Sequence, residues 1–184
     1  MGTRGIRNNS KHTYIEPDLL SGVADIRKLA FEKHLYSGEA LDVEQLIEQI
    51  STNNPKDPIV IRKKAMDNYM SGSLTYENGT WVMTVNSNQH PRRQRFTLAH
   101  ELGHYILHKE KNAEFQDSTF FRSSNMDNLE YMANDFAAKL LMPDDIVKKF
   151  IDRGVRNLGD LANKFEVSVA AMKFKVEKMG YKVR

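Results

Sequence analysis

The stretch RFTLAHELGHYILH, residues 95–108, places His100 and His104 four positions apart, with Glu101 directly after the first histidine. On an α-helix, side chains four residues apart share a face and stand about 6 Å apart along the axis. Two such imidazoles can each place a ring nitrogen about 2.1 Å from one zinc ion. Glu101 then lies beside the ion, where its carboxylate can accept a proton from water. The spacing therefore predicts a helix that carries a metal site.

The same spacing also suits a helix whose histidines are only structural. Apolar residues recur beside the histidine face, so we expect the helix to pack with both histidines half-buried at the edge of a cleft. The alternative interpretation is therefore an amphipathic helix with hydrogen-bonded histidines and no ion. His108 continues the four-residue series, but it lies two turns, about 12 Å, from His100. We interpret it as a surface residue or as a support for a ligand, and not as a ligand itself.

A catalytic zinc ion needs a third protein ligand and keeps its fourth position for water. The 184-residue chain contains no cysteine, so that ligand must be a histidine or a carboxylate. The lack of cysteine also excludes disulfides and thiolate chemistry, and it fits a reducing compartment.

The best candidate for the third ligand is Glu130, in the segment NLEYMANDFAAKLLMP. Apolar residues recur there with a helical period, and Asn134 follows Glu130 by one turn on the same side. Asn134 can then hydrogen-bond Glu130 or a ligand histidine, since metal ligands need such support. The alternative is a capping carboxylate, because Asp127-x-x-Glu130 resembles a capping box and acids are common in a first helical turn.

The hydrophobic period changes along the chain, which predicts an α+β fold. The segments IVIRKK and GSLTYENGTWVMTVNS are typical of strands, and helical spacing precedes and follows them. The connection Glu77-Asn78-Gly79-Thr80 predicts a tight hairpin, because Asn-Gly readily takes positive φ angles. We therefore expect a small antiparallel sheet within a mostly helical domain.

Two further features are candidates for substrate contacts. The strand at Trp81 to Val85 could pair with an extended peptide, because an exposed edge offers unpaired N–H and C=O groups. Arg92, Arg93 and Arg95 precede the histidine pair and could steer an acidic segment. A solvated helix face is the favoured interpretation of these arginines.

The charge and hydropathy of the chain narrow the setting in which it works. The net charge of +3 is compatible with nucleic acid, although an ordinarily solvated surface is the favoured interpretation. No run of about 18 apolar residues is present, so we expect no membrane partner. The start MGTRGIRNNSKHTYIEPD lacks the apolar core of a signal peptide. Together with the lack of cysteine, this predicts a cytoplasmic protein.

The run RQRFTLAHELGHYILH followed by LEYMANDFAAKLLMP resembles the ImmA/IrrE family of bacterial and phage metallopeptidases, HExxH enzymes that are gluzincin-like. The resemblance extends over roughly residues 20–180 and is strongest in these two blocks. It implies a zincin-like metallopeptidase domain in which His100 and His104 bind zinc. It also implies that Glu101 is the catalytic acid and base.

The same resemblance implies that Glu130 is the third zinc ligand. Family members often carry an acid two residues before the Asn of this block, where this chain has Met132. Glu130 is then the acid available in that turn, which favours it as the ligand. Mn²⁺ is an alternative to Zn²⁺, because two imidazoles and a carboxylate accept either ion.

The function implied by the resemblance is that of a zinc-dependent endopeptidase. Its substrate would be a helix-turn-helix repressor of the XRE type, whose cleavage relieves repression of a mobile element, a toxin–antitoxin-like operon or a stress-response operon. The alternative is a non-catalytic regulator that retains the peptidase fold and binds a repressor or DNA.

The predicted organisation has three parts: a flexible N-terminal segment at 1–17, a metallopeptidase domain at 18–145 and a C-terminal helical segment at 146–184. In the last part, NLGDLANKFEVSVAAMKFKVEKMGY has the outline of a helix-turn-helix, and its second helix carries lysines. DNA binding by this segment is therefore a competing hypothesis. A packing appendage that contacts the peptidase core or the repressor is favoured, because the second helix has few side chains suited to reading bases.

Overall fold

A computed structural model of the protein describes residues 22–109 and 124–183. The predicted flexible segment at 1–17 lies outside the described residues, so it stays a prediction. In chain order, the elements of the described residues are α1 (Val23–Glu32), β1 (Tyr36–Ser37), β2 (Ala40–Leu41), α2 (Val43–Asn53), β3 (Ile59–Lys64), β4 (Gly72–Glu77), β5 (Thr80–Asn86), α3 (Pro91–His108), α4 (Ser124–Leu141), α5 (Asp144–Asp152), α6 (Leu158–Lys164) and α7 (Val169–Lys178).

The α+β class and the hairpin are confirmed. β4 and β5 pair antiparallel around a turn in which Asn78 and Gly79 have φ angles of 49° and 83°. β3 joins this hairpin in parallel, with Ile59 opposite Trp81, a pairing that the periodicity did not indicate. The order of the strands in the sheet is β3, β5, β4, so β5 lies between the other two strands. The connection from β3 to β4 therefore crosses from one edge of the sheet to the other.

The central place of β5 overturns one expectation. The strand at Trp81 to Val85 is a candidate for pairing with an extended peptide, but both edges of β5 are already paired, with β3 and with β4. The strand is buried from Trp81 to Asn86. A strand covered on both faces and paired on both sides offers no room for another chain. The free edges of this sheet belong to β3 and β4.

Asn86 holds the connection between β3 and β4 where it crosses the end of β5. Its buried side-chain amide donates to the carbonyl oxygens of Met66, at 3.2 Å, and Met70, at 2.8 Å. Its Oδ1 accepts from the backbone N–H of Met66 at 3.1 Å. These bonds fix a connection that would otherwise lack partners for its backbone groups. The connection leads into Gly72, at the border of the candidate site.

Gly103 allows α3 and α4 to approach closely. A Cβ atom added at position 103 would lie 3.2 Å from both the Cα and the carbonyl oxygen of Ala133 on α4. It would also lie 3.2 Å from the ring of Phe136. These separations are tighter than a carbon atom normally accepts, so the missing side chain sets the spacing of the helices. This close approach brings the histidine face of α3 against α4.

The C-terminal helices α6 and α7 share the main hydrophobic core. Leu161, Phe165 and Met172 are buried in the same cluster as Leu98 and Leu102 of α3. They therefore pack against the rest of the described fold. The domain boundary between residues 145 and 146 stays a prediction.

Two of the arginines at the start of α3 attach it to other segments. The Arg95 guanidinium donates to the carbonyl oxygens of Leu41, at 2.7 Å, and Phe165, at 2.6 Å. Arg92 donates to the carbonyl oxygen of Val167 at 3.2 Å. The favoured interpretation of a solvated helix face is therefore wrong for these two residues, because charged hydrogen bonds to backbone oxygens occupy both of them.

None of the helices in the described parts of the chain combines the length and the apolar character that crossing a bilayer requires.

Candidate metal centre

The site is built on α3, whose buried residues fix the orientation of the helix. Leu98, Leu102 and Tyr105 are buried in one cluster with the sheet residue Met83. Because these side chains hold one face of the helix against the sheet, the adjacent face that carries His100 is directed towards α4.

The three predicted metal ligands lie together where α3 meets α4. Nε2 of His100 is 3.0 Å from Nε2 of His104 and 3.3 Å from Oε2 of Glu130. Nε2 of His104 is 3.2 Å from Oε1 of Glu130. Donor atoms placed tetrahedrally at about 2.1 Å from a zinc ion are about 3.4 Å from one another. The three side chains therefore have the spacing that one such ion requires.

Hydrogen bonds at the other ring nitrogens support the same conclusion. Nδ1 of His100 lies 3.1 Å from Oδ1 of Asn134, an acceptor, so in the neutral ring this nitrogen carries the proton. Nδ1 of His104 lies 3.2 Å from Nδ1 of His108. If His104 donates there, both Nε2 atoms present lone pairs to each other at 3.0 Å. A cation between them turns that repulsion into coordination, so the donor set fits a divalent ion.

Asn134 and His108 thus both contact a predicted ligand. Asn134 is one turn after Glu130 on α4, the position expected from the sequence. His108 is 1% exposed, so the interpretation of this residue as a surface side chain is wrong. His108 lies on a part of α3 that is buried in the fold. The period of the sequence alone did not indicate whether this part of the helix faces the core or solvent.

The capping interpretation of Glu130 does not fit the helix. α4 begins at Ser124, so Glu130 lies in its second turn and not in its first. A carboxylate there is too far from the free N–H groups of the helix start to cap them. Its side chain is half-exposed and lies against the two histidines instead.

Burial and charge set the protonation of the cluster. Burial acts to lower the pKa of His100, but its hydrogen bond to Glu130 and the charges of Glu101 and Glu130 outweigh burial and raise that pKa. When the two rings are protonated, hydrogen bonds from His100 and His104 hold the pKa of Glu130 well below its usual range. Burial raises the pKa of Glu101. The Glu130 carboxylate therefore stays ionised, as a metal ligand must be.

Glu101 is buried at 6% exposure, and a glycine borders it. A Cβ atom at Gly72, the first residue of β4, would lie 2.5 Å from the Thr97 side chain and 3.4 Å from Oε1 of Glu101. Gly72 was not predicted from the sequence as a site residue. A glycine at the start of a strand was the available signal, because it often marks a close approach of two backbones.

A cleft of about 800 Å³ opens over the cluster. Its walls come from α3, from α4, from the connection that ends at Gly72 and from the start of α7. It is also lined by four residues that the sequence did not indicate as site residues: Tyr69, Ser168, Ala170 and Ala171. The C-terminal segment therefore borders the same cleft as the predicted metal ligands.

The fold and the donor cluster place the chain in the class of metallopeptidases. More narrowly, it belongs to the IrrE N-terminal-like domain family (Peptidase_M78), whose model matches residues 56–177. The resemblance to the ImmA/IrrE family is thereby confirmed. A family of metallopeptidases implies a divalent metal ion.

Individual relatives agree with this assignment. The chain is 31% identical over 114 residues to "Uncharacterized immunity region protein 2" of Bacillus phage phi105, covering 59% of this chain and 70% of that protein. It is 34% identical over 94 residues to the "Radiation response metalloprotease IrrE" of Deinococcus radiodurans, covering 49% of this chain and 29% of IrrE. It is 30% identical over 116 residues to the "Metallopeptidase ImmA" of Bacillus subtilis, covering 58% of this chain and 64% of ImmA.

Similarity of fold extends to a solved structure as well. A Mycobacterium tuberculosis transcriptional regulator superposes with a TM-score of 0.59 at 14% identity, covering 84% of this chain and 46% of that one. At that identity the likeness concerns the fold alone. The chain spans less than two thirds of both named metallopeptidases and of this regulator.

Proposed function

We propose that the protein is a zinc-dependent endopeptidase in which His100, His104 and Glu130 bind the ion. The observation that supports this most is the meeting of two Nε2 atoms and a carboxylate within 3.3 Å of one another. Manganese is the alternative ion, because the same donors accept it. When bound, the ion supplies Lewis acidity towards water and towards a peptide carbonyl.

Glu101 is the residue that we propose moves the proton. It follows His100 directly on α3, and its side chain is screened from bulk water. The carboxylate would accept a proton from the attacking water and deliver it to the leaving amine. Glu101 and Gly72 both line the cleft, so a substrate bound in the cleft would lie beside the carboxylate.

We propose a helix-turn-helix repressor as the substrate. Support comes from the relatives, which include a phage immunity-region protein, ImmA and IrrE. The cleft is open and about 800 Å³ in volume, which suits a segment of polypeptide better than a buried small molecule. Cleavage of the repressor would relieve repression of a mobile element, a toxin–antitoxin-like operon or a stress response.

DNA binding through α7 is the competing proposal, and the contacts of its lysines do not favour it. Lys178 donates to Asp135 at 2.6 Å, and Lys173 lies 3.9 Å from Glu177. Lys175 is buried and pairs with Asp144 of α5. Since carboxylates already accompany these lysines, α7 offers little of the unpaired positive charge that phosphates attract.

The experiment is to co-express the protein with candidate helix-turn-helix regulators and to identify fragments by mass spectrometry. Wild-type protein should cut one regulator at a defined bond, and Glu101→Gln should leave it intact. Glu48→Gln, on the exposed side of α2, removes an equal charge away from the cleft and should cut normally. Equal cleavage by wild type and Glu101→Gln would overturn the peptidase proposal, and stable capture without cleavage by both would favour the non-catalytic regulator.

A further inference from the structure

Arg93 differs from its two neighbouring arginines in what it contacts. Arg92 and Arg95 are engaged with backbone carbonyl oxygens of other segments. Arg93 is exposed, and it donates to the hydroxyl oxygen of Ser71 through Nε at 3.3 Å and Nη2 at 3.0 Å. Within residues 22–109 and 124–183, no carboxylate forms an ion pair with it.

The bond to Ser71 orients the guanidinium without using all of its donors. A guanidinium carries five N–H groups, and Ser71 receives one from Nε and one from Nη2. The two N–H groups of Nη1 and the second of Nη2 remain for another acceptor. These groups form a planar fork that matches the two oxygens of a carboxylate.

Ser71 is itself held in place, which makes the fork preorganised. Nε2 of Gln89 donates to Oγ of Ser71 at 3.2 Å and to the carbonyl oxygen of Met70 at 3.1 Å. The connection that contains Ser71 is fixed in turn by Asn86, as described above. An arginine whose rotamer is already restricted loses less conformational entropy when it binds a ligand.

Arg93 lies inside the cleft, on the same face of α3 as the predicted metal ligands. It precedes His100 by seven residues, which is nearly two full turns and about 10 Å along the helix axis. An extended peptide advances about 3.3 Å per residue. A substrate whose scissile bond lies at the metal cluster would therefore place a side chain near Arg93 about three residues away.

The charges along the cleft differ between its two ends. His90, Arg92 and Arg93 line one end, and the carboxylates of Glu101 and Glu130 lie at the other, beside the histidines. With a divalent ion bound there, the net charge of the lining is positive. A negatively charged side chain is therefore attracted to the end of the cleft at Arg93, because the carboxylates that line the cleft and would repel it lie at the other end.

We propose that Arg93 is a specificity-determining residue that binds an aspartate or glutamate of the substrate, about three residues from the bond that is cut. This inference rests on the proposed peptidase function, because only a peptidase has a peptide substrate. The binding of an acidic peptide can nevertheless be measured without cleavage. Ser71 acts as a positioning residue, because it restrains the guanidinium and does not touch the ligand.

The test uses full-length Glu101→Gln protein, loaded with zinc, on an array of immobilised random ten-residue peptides. This protein should retain peptides enriched in acidic residues. Adding Arg93→Glu should reverse the preference towards lysine and arginine, and Arg93→Ala should abolish it. Arg93→Lys keeps the charge but lacks the fork, so the acidic preference should weaken about tenfold and keep its sign. Arg153→Glu, at the exposed end of α5, is the matched control and should leave the preference unchanged.

Ser71→Ala should weaken the acidic preference less than Arg93→Ala does, since only the restraint on the guanidinium is lost. An acidic preference that survives Arg93→Glu, or that Arg153→Glu alters equally, would overturn the inference. Failure of the peptidase proposal is visible separately, because wild type and Glu101→Gln would then leave every co-expressed regulator equally intact. Where wild type does cut, mapping the new termini should place the acidic residue about three positions from the bond.

Discussion

Nε2 of His104 on α3 lies 3.2 Å from Oε1 of Glu130 on α4, so one ion could join two helices that a long stretch of sequence separates. An ion held between them would stabilise the folded chain, because the unfolded chain does not bring these donors together.

We therefore expect zinc to raise the melting temperature and chelation to lower it. An ion at a hundred times its dissociation constant adds about 2.7 kcal/mol, which for a chain of this size corresponds to roughly 5–10 °C. Glu130→Ala should abolish most of this gain, whereas Glu48→Ala on α2 should retain it. Differential scanning calorimetry with and without zinc measures the shift. A wild-type melting temperature that is indifferent to both zinc and chelator would contradict the metal centre.

The hydrogen bond between Asn134 and His100 leads to a second prediction. Oδ1 of Asn134 fixes the proton on Nδ1 of His100, and that leaves Nε2 for the ion. Asn134→Ala should weaken zinc binding about 10–100-fold with little change in the stability of the metal-free protein. Competition with a fluorescent zinc chelator gives the affinity. Asn128→Ala removes an exposed amide from the same helix and serves as the control; equal affinities for both variants would exclude this role of Asn134.

The contact of Gly103 with Ala133 leads to a third prediction. An alanine at 103 improves helix propensity by about 1 kcal/mol, but its Cβ meets the backbone of α4 at 3.2 Å. Because a backbone cannot give way as a flexible side chain does, we expect net destabilisation, and Gly103→Val should cost about 1–3 kcal/mol more. Both variants should also bind zinc less tightly, since they separate Glu130 from the histidines. Urea denaturation of the metal-free protein, followed by zinc titration, separates the two effects; unchanged zinc affinity would show that the spacing of α3 and α4 does not set the site.

Asp135 should make the attachment of α7 depend on pH. Its side chain accepts from Lys178 on α7 and pairs with Lys139 on its own helix, and Lys178 also donates to Tyr131. Burial acts to raise the pKa of Asp135, but the hydrogen bonds and charges of the two lysines outweigh it and lower that pKa. A lowered pKa means that this stabilisation is complete above the unfolded-state pKa, about 3.9, and is lost as the pH falls through the folded-state value.

Asp135→Asn should therefore cost about 1 kcal/mol at pH 7, and the difference from wild type should shrink as the pH falls below about 3.9. Urea denaturation at a series of pH values measures it. Asp152→Asn removes a carboxylate that pairs with Lys148 within α5, and it serves as a control that does not join two helices. A difference between wild type and Asp135→Asn that stays constant from pH 7 to pH 3 would contradict the assignment.

Local spacing in the sequence predicted the histidine pair well, because residues four apart on a helix are neighbours whatever surrounds them. Glu130 could be proposed because the period of its helix indicated which side it occupies. The close approaches at Gly72 and Gly103 were not predictable, since they depend on which elements become neighbours. The same holds for the central place of β5, whose alternation identifies a strand but not its partners. Arg92 and Arg95 were misassigned because their acceptors are backbone oxygens, which have no signature in the sequence.

The start of α7 forms a wall of the cleft, and narrowing the cleft there should hinder substrate entry. Ala170 is exposed and lines the cleft, whereas Lys173, one turn later, does not line it. Ala170→Trp should lower the turnover of a peptide or repressor substrate at least tenfold, because a large ring occupies space that the substrate needs. Zinc affinity and melting temperature should stay unchanged, since the substituted position is on the surface. Lys173→Trp adds the same ring outside the cleft and should cut at the wild-type rate. If both tryptophan variants turn over substrate equally, the C-terminal helices do not border the path of the substrate, and their contribution is limited to packing.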